Sequence, residues 1–198
     1  MKIILVRHGE TDYNTASIVQ GWLSSHLTVI GQKQAQFTGQ RLAQKSIDAI
    51  YCSDLLRTRE TAHEITQFVH IPVTYDSWLR ERNFGDFQGK PKGTLQHYVK
   101  EHKLDLLSFC PSHGESILDF RKRVVDAFDN LLRHEKSSTI LLITHGGVIF
   151  QILLHLLQFH ESEFEKYNPP NCSLTILDIR NNGHTFHAIN SIDHLTVP

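Results

Sequence analysis

No segment of this chain approaches the ~20 consecutive apolar residues that a membrane-spanning helix requires. The five apolar residues ahead of Arg7 are also too few for the core of a secretory signal. Cysteine is scarce: Cys52, Cys110 and Cys172 lie far apart and outside any CxxC spacing. That excludes a disulfide framework and a cysteine-ligated zinc site, and it fits a reducing, cytoplasmic setting. Positive charge is not in excess, because 20 Lys and Arg face 21 Asp and Glu. A net charge of −1 and a pI near 6.9 speak against the basic face of a nucleic-acid-binding protein, although a local cationic pocket remains compatible with them. Internal repeats, low-complexity tracts and Ser/Pro-rich linkers are missing too. One domain over residues 1–198 is therefore expected. Oligomeric state leaves no trace in the sequence.

Histidine is abundant instead, with 14 copies. Most are scattered (His26, His63, His97, His134, His160, His187), without HExxH or HxH spacing. Free imidazole titrates near ~6.5, so the net charge must swing markedly between pH 7 and pH 5.

Lys2 to Val6 is a short apolar, β-branched run that reads as a buried strand, and Asp12 to Asn14 continues from it as a polar loop. Thr28 can cap a helix reaching Gln44, although Gly31 and Gly39 lower its propensity. Ile47 to Cys52 reads as a strand, Leu55 to Val69 as a helix, and Pro72 to Tyr75 as an edge strand. Charges and glycines make Leu79 to Pro91 a loop, and a weak helix follows from Thr94 to Lys103. Ser116 with Asp119 resembles a capping box, ahead of a stripe at Ile117, Phe120, Val124, Phe128 and Leu131. Thr139 to Thr144 is the strongest strand and runs through His145 into an apolar helix, Val148 to Leu157. Ser173 to Ile179 and His184 to Ile189, joined by Asn181-Asn182-Gly183, read as a terminal hairpin. Alternating strands and helices imply an α/β fold with a largely parallel sheet.

Two of these strands end in His-Gly: Val6-Arg7-His8-Gly9 and Ile143-Thr144-His145-Gly146. Parallel strands carry their carboxyl ends on one side, where α/β sheets bind ligands. His8 and His145 are thus expected to face one cleft, with Arg7 beside the first. Taken singly, each residue has a plainer explanation: a satisfied strand-end histidine, a surface ion pair for Arg57, a solvated charge for Glu81 between Arg80 and Arg82, a local cap for Thr11.

Leu5-Val6-Arg7-His8-Gly9-Glu10-Thr11, with Asn14 beyond it, resembles the signature of the histidine phosphatase superfamily, which includes cofactor-dependent phosphoglycerate mutases. The resemblance extends through Gly21-Trp22 with Leu27-Thr28, Ser53-Asp54-Leu55-Leu56-Arg57-Thr58, Leu79-Arg80-Glu81 with Phe84-Gly85, Gly114-Glu115-Ser116 and Thr144-His145-Gly146-Gly147. It implies a phosphoglycerate mutase-like, three-layer α/β/α sandwich with a mostly parallel central sheet. It also implies that His8 attacks phosphorus and becomes a phosphohistidine, while Arg7, Arg57 and His145 hold the phosphoryl oxygens. Glu81 would protonate the leaving oxygen. Asn14, Thr11, Gln20, Gly21 and Gly146 would line the substrate pocket. Neither a cofactor nor a metal is implied; the partner is a small phosphorylated metabolite rather than a nucleic acid or a membrane.

Physical chemistry supports these assignments. Charge spreads over the equatorial oxygens of a phosphoryl group in flight, and arginine forks suit it. A histidine nucleophile must be neutral with its tautomer fixed, and a backbone carbonyl near Gly9 is expected to fix it. Alkoxide leaves poorly and needs an acid; for Glu81 to act near neutrality, burial or the substrate's own charge must raise its pKa. A mutase needs an enclosed, strongly cationic pocket for a bisphosphate. Only 31 residues separate Glu81 from His113, and Arg82 is their one arginine, which favours a phosphatase. Similarity of Val73 to Arg82, together with Ser53 to Thr58, to sugar bisphosphatases points towards sugar phosphates or bisphosphates. Arg80, Arg82, Lys90 and Lys92 are candidates for a second anionic group, and His113 for the pocket wall. The alternatives are a phosphoglycerate mutase, a binding protein that has lost turnover, and a metal hydrolase, the last opposed by the charge of Arg7.

Overall fold

A computed structural model describes residues 1–160, 163–180 and 183–195. In chain order the elements are β1 (Lys2–Arg7), α1 (Asp12–Thr15), α2 (Val29–Leu42), β2 (Ala49–Cys52), α3 (Leu56–Thr66) and β3 (Val73–Tyr75). They continue with α4 (Thr94–Glu101), α5 (Ile117–His134), β4 (Thr139–Thr144), α6 (Gly146–Leu157), α7 (Phe164–Tyr167), β5 (Leu174–Arg180) and β6 (Gly183–Ser191). Among the described residues six strands form one sheet in the order β3-β2-β4-β1-β5-β6. β1, β2, β3 and β4 pair in parallel, whereas β5 runs antiparallel to β1 and to β6.

The period-2 pattern of the central strands builds two cores. Ile3, Leu5, Ile140 and Leu142 point to one face and pack against Phe120, Val124 and Phe128 of α5 and Val148, Ile149 and Ile152 of α6. Ile4, Val6, Leu141 and Ile143 point to the other, against Leu42 of α2 and Ala62 and Ile65 of α3. The strands read as continuous apolar runs because both faces are covered. The result is the expected three-layer α/β/α arrangement with a mostly parallel sheet.

The helix starts follow local chemistry. Thr28 accepts from the Gly31 N–H and Ser116 from that of Asp119. Asp12 to Asn14 departs from the polar-loop expectation: it forms the one-turn helix α1, because Thr11 and Asn14 make a reciprocal capping box. Two 3₁₀ turns, Ser77–Leu79 and Gly85–Phe87, punctuate the expected Leu79 to Pro91 loop. The terminal hairpin strands pair as expected, while Asn181 and Asn182 of its turn lie outside the described residues.

Gly31 explains why a propensity-lowering residue sits in the first turn of α2. A Cβ there would lie 2.0 Å from the Glu10 carbonyl oxygen, and one on Gly9 would lie 2.5 Å from the Gly31 carbonyl oxygen. The loop leaving β1 therefore touches the α2 backbone directly. Gly31→Ala is expected to destabilise the protein by about 1–3 kcal/mol, as overpacking against backbone typically does; urea unfolding measures it, and an unchanged midpoint would refute the close contact.

Candidate active site

β1, β2 and β4 are parallel and in register, so Arg7-His8, Ser53 and His145 leave the sheet on the same side. The His8 N–H donates to the Thr144 carbonyl at 2.9 Å and the Ser53 N–H to the Ile143 carbonyl at 3.0 Å, which carries the register past the strand ends. A cleft of about 370 Å³ opens there, and its lining includes Arg7, His8, Asn14, Gln20, Gly21, Arg57, Glu81 and Gly146.

His8 is 3% exposed, and its Nδ1 lies 2.8 Å from the Gly9 carbonyl oxygen. A carbonyl can only accept, so Nδ1 carries the proton and Nε2 keeps its lone pair. Burial, followed by the charges of Arg57 and Arg7, pushes the His8 pKa well below the imidazole range and holds the ring neutral. The Gly9 carbonyl is itself anchored, since the Gly9 N–H donates to Thr61 Oγ1 on α3 at 3.0 Å.

His145 is fully buried beside it, with ring centroids 5.3 Å apart. Its Nε2 lies 2.8 Å from the Ser53 hydroxyl. Burial and the nearby Arg57 likewise lower its pKa well below the usual range. A neutral ring that accepts from Ser53 at Nε2 carries its proton on Nδ1.

Arg57 on α3 is buried and Arg7 half-buried, and carbonyls hold both. Arg7 donates to the Pro169 oxygen at 2.6 Å; Arg57 donates to the Gly21 oxygen at 2.8 Å and the Leu23 oxygen at 3.3 Å. Burial pulls the Arg57 guanidinium down to about 10, still charged at neutral pH. Among the described residues five buried side-chain polar atoms lack a hydrogen-bond partner. Three of them are Arg7 Nε, Arg57 Nε and His145 Nδ1. Unpartnered N–H groups beside a free imidazole lone pair are what an oxyanion under nucleophilic attack requires. The amino terminus of α6, at Gly146 and Gly147, adds the positive end of its dipole.

Residues 3–192 match the family model of the histidine phosphatase superfamily (branch 1). The chain belongs to this superfamily. It is 31% identical to a Proteus mirabilis protein named "Probable phosphoglycerate mutase GpmB", over 99% of this chain and 95% of that one. It is 29% identical to the metal-independent phosphoserine phosphatase of Arabidopsis thaliana, over 98% of this chain and 83% of the relative. The crystal structure of the alpha-ribazole phosphatase from Shigella flexneri superposes with a TM-score of 0.83 at 26% identity, covering 96% of each chain.

In this histidine phosphatase chain Glu81 reaches the cleft from the loop after β3. Its Oε2 accepts from the Gly147 N–H at 3.0 Å and its Oε1 from the Arg82 N–H at 2.8 Å. Asn14 and Gln20 line the cleft, but part of their polarity is used locally: Asn14 Oδ1 accepts from Thr11, and Gln20 Oε1 from the Ser25 hydroxyl. Thr11 does not line the cleft. It is fully buried and its hydroxyl caps α1, so local capping takes precedence over substrate contact.

Of the four cations proposed for a second anionic group, only Lys92 lines the cleft. Arg80 is paired with Asp54 at 2.5 Å, Arg82 donates to the Glu115 carbonyl at 2.9 Å, and Lys90 lies over the Phe87 ring. His113 is exposed in a left-handed turn outside the cleft. Sequence reasoning missed the 168–172 segment. There the Pro169 carbonyl holds Arg7, Asn171 Nδ2 donates to the His8 carbonyl at 2.9 Å, and the Cys172 N–H donates to that of Arg7 at 3.1 Å. Its one signal was the Pro169-Pro170-Asn171 turn before β5. Among the described residues no group of three or more His, Cys, Asp or Glu is placed to hold a metal ion.

Two outcomes follow from this geometry. Unfolding frees imidazoles that the fold keeps neutral, so below pH ~6.5 the unfolded chain binds more protons and stability falls as pH drops. For His8→Gln the fall between pH 7.5 and pH 5.5 should be shallower by about 1 kcal/mol in urea titrations; an identical fall would mean that His8 ionises normally. A Cβ at Gly147 would lie 2.1 Å from Glu81 Oε1, the free end of a side chain. Gly147→Ala should therefore keep its melting temperature within a few degrees yet lose roughly 10-fold or more in kcat, part of the ~10²–10⁴-fold a general acid supplies.

Proposed function

We propose that the protein hydrolyses phosphomonoesters of small metabolites through a phosphohistidine on His8. The observation that carries this reading is the meeting, in one cleft, of a neutral imidazole of fixed tautomer with Arg7 and Arg57, whose buried Nε atoms lack partners, while His145 lies fully buried against the His8 ring and outside the cleft lining.

In the first step His8 Nε2 forms a bond to phosphorus as the ester P–O bond breaks, and Glu81 gives its proton to the departing oxygen. The arginines and the His145 Nδ1–H hold the equatorial oxygens, whose charge grows as the phosphoryl group passes between the two. In the second step the Glu81 carboxylate takes a proton from water, whose oxygen bonds to phosphorus while the N–P bond breaks. Orthophosphate leaves, and both side chains regain their starting states.

Hydrolysis is favoured over intramolecular transfer by the charge available to substrate. Beyond the phosphoryl site the cleft offers one further cation, Lys92, the neutral polar side chains of Asn14, Gln20, Gln96 and Asn168, and an apolar wall including Ile18, Val19, Phe84 and Leu95. A bisphosphate that must reorient before release needs more fixed cations than this. A monophosphate with a short organic body and at most one further anionic group fits better.

Phosphate release in excess EDTA across phosphoserine, sugar phosphates, 3-phosphoglycerate and p-nitrophenyl phosphate tests the proposal. Release should persist without metal and fall by at least ~10³-fold in His8→Ala, the scale of losing a nucleophile. Near-normal release by that variant would refute the phosphohistidine. Release only when a bisphosphate primer accompanies phosphoglycerate would favour the mutase instead.

A further inference from the structure

The group that must be placed most accurately for ester cleavage, Glu81, sits on an irregular loop rather than on a strand or a helix of the sheet's two layers. Loops are usually poor supports for a general acid, because positional error is paid directly in rate. What holds this one is a side chain from α5, the helix against which Leu79 packs. Arg123, on α5, donates through NH1 to the Trp78 carbonyl at 2.8 Å and the Arg80 carbonyl at 3.2 Å, and through NH2 to the Glu81 carbonyl at 3.3 Å. Its other edge makes a two-armed pair with Glu115, Nε to Oε1 at 2.7 Å and NH2 to Oε2 at 3.0 Å. Glu115 in turn takes the Asn83 N–H at 2.9 Å, while its own N–H and carbonyl bond to the Asn83 carbonyl at 2.8 Å and to Arg82 Nε at 2.9 Å. Trp22 Nε1 closes the set, donating to the Glu81 carbonyl at 2.7 Å.

A guanidinium fork suits the task of gathering three backbone carbonyls, here Trp78, Arg80 and Glu81, and a carboxylate at once. We infer that Arg123 is the positioning residue of the general acid: by fixing the backbone of 78–81 it aims the Glu81 carboxyl at the leaving oxygen, and so decides how poor a leaving group the enzyme can expel. Arg123 does not line the cleft; its hydrogen bonds reach the site through the Glu81 loop, and its charge adds only the last and smallest push on His145. This rests on the proposed function, with Glu81 as the acid.

Leaving-group dependence separates positioning from bulk stability. Nitrophenolate departs without protonation because its charge spreads into the ring, whereas the alkoxide of phosphoserine needs the acid. In Arg123→Met the kcat/KM on phosphoserine, or on whichever alkyl phosphate the wild type accepts best, reads the phosphorylation of His8 without the shared hydrolysis step and should fall by roughly 10–100-fold, within the range of a general acid, while kcat/KM on p-nitrophenyl phosphate changes by less than ~3-fold. Arg123→Lys, which keeps the charge and stem but not the fork, should show a smaller loss with the same preference; it also serves if the Met variant does not fold. Glu81→Gln must reproduce the pattern, and His8→Ala must abolish both reactions. Equal losses on both substrates, or none on the alkyl ester, would overturn the inference. Activity surviving in His8→Ala, or a Glu81→Gln variant without leaving-group dependence, would instead remove the mechanism on which it rests.

Discussion

Two guanidinium groups that share one pocket, with the Glu81 carboxylate acting on them through space and holding neither in a direct ion pair among the described residues, are the constraint around which this molecule is arranged. Taking a cation out of water is costly unless dipoles replace the hydration, and here backbone carbonyls do so: Pro169 for Arg7, Gly21 and Leu23 for Arg57. Those carbonyls belong to loops far apart in sequence, so the two charges also fix where the loops lie. Burial first, and then the fields of these two arginines, keep His8 and His145 unprotonated. A pocket that is positive, short of hydrogen-bond acceptors and furnished with a free imidazole lone pair is unsatisfied until an oxyanion enters it.

The sheet supplies the rigidity this requires. His8 and His145 come from adjacent parallel strands whose register continues through the His8 N–H to the Thr144 carbonyl, so their separation is set by strand spacing rather than by loop packing. Glu81 lacks that support, and its loop is held from outside by Trp22, Arg123 and Glu115. His8 and Glu81 are thus secured by different means. The strands fix the first, and a side-chain network spanning the third layer fixes the second.

Much of this was legible in the chain. Two apolar runs each ending in His-Gly stated that the histidines leave a sheet side by side, because parallel strands have no other way to end. Thr28 and Ser116 announced their helices through capping chemistry, which depends on residues only three positions away. The Thr11–Asn14 turn was equally local, yet it was read as loop, and the capping role of Thr11 was weighed below a place in the pocket.

Local and periodic information therefore determined the α/β class, the strand and helix order, and the placement of His8, with Arg7 beside it, and of His145 at neighbouring strand ends. Those features depend on spacing along the chain and on which side of a strand a residue faces. Tertiary structure alone decided which surplus cations reach the cleft: Lys92 lines it while Arg80, Arg82 and Lys90 turn to Asp54, Glu115 and Phe87. It also decided that Arg123, indistinguishable in sequence from any arginine on the polar side of an amphipathic helix, would be spent on the carbonyls of the Glu81 loop. A charged side chain several bonds long can reach many partners, and only the packing of distant elements selects among them.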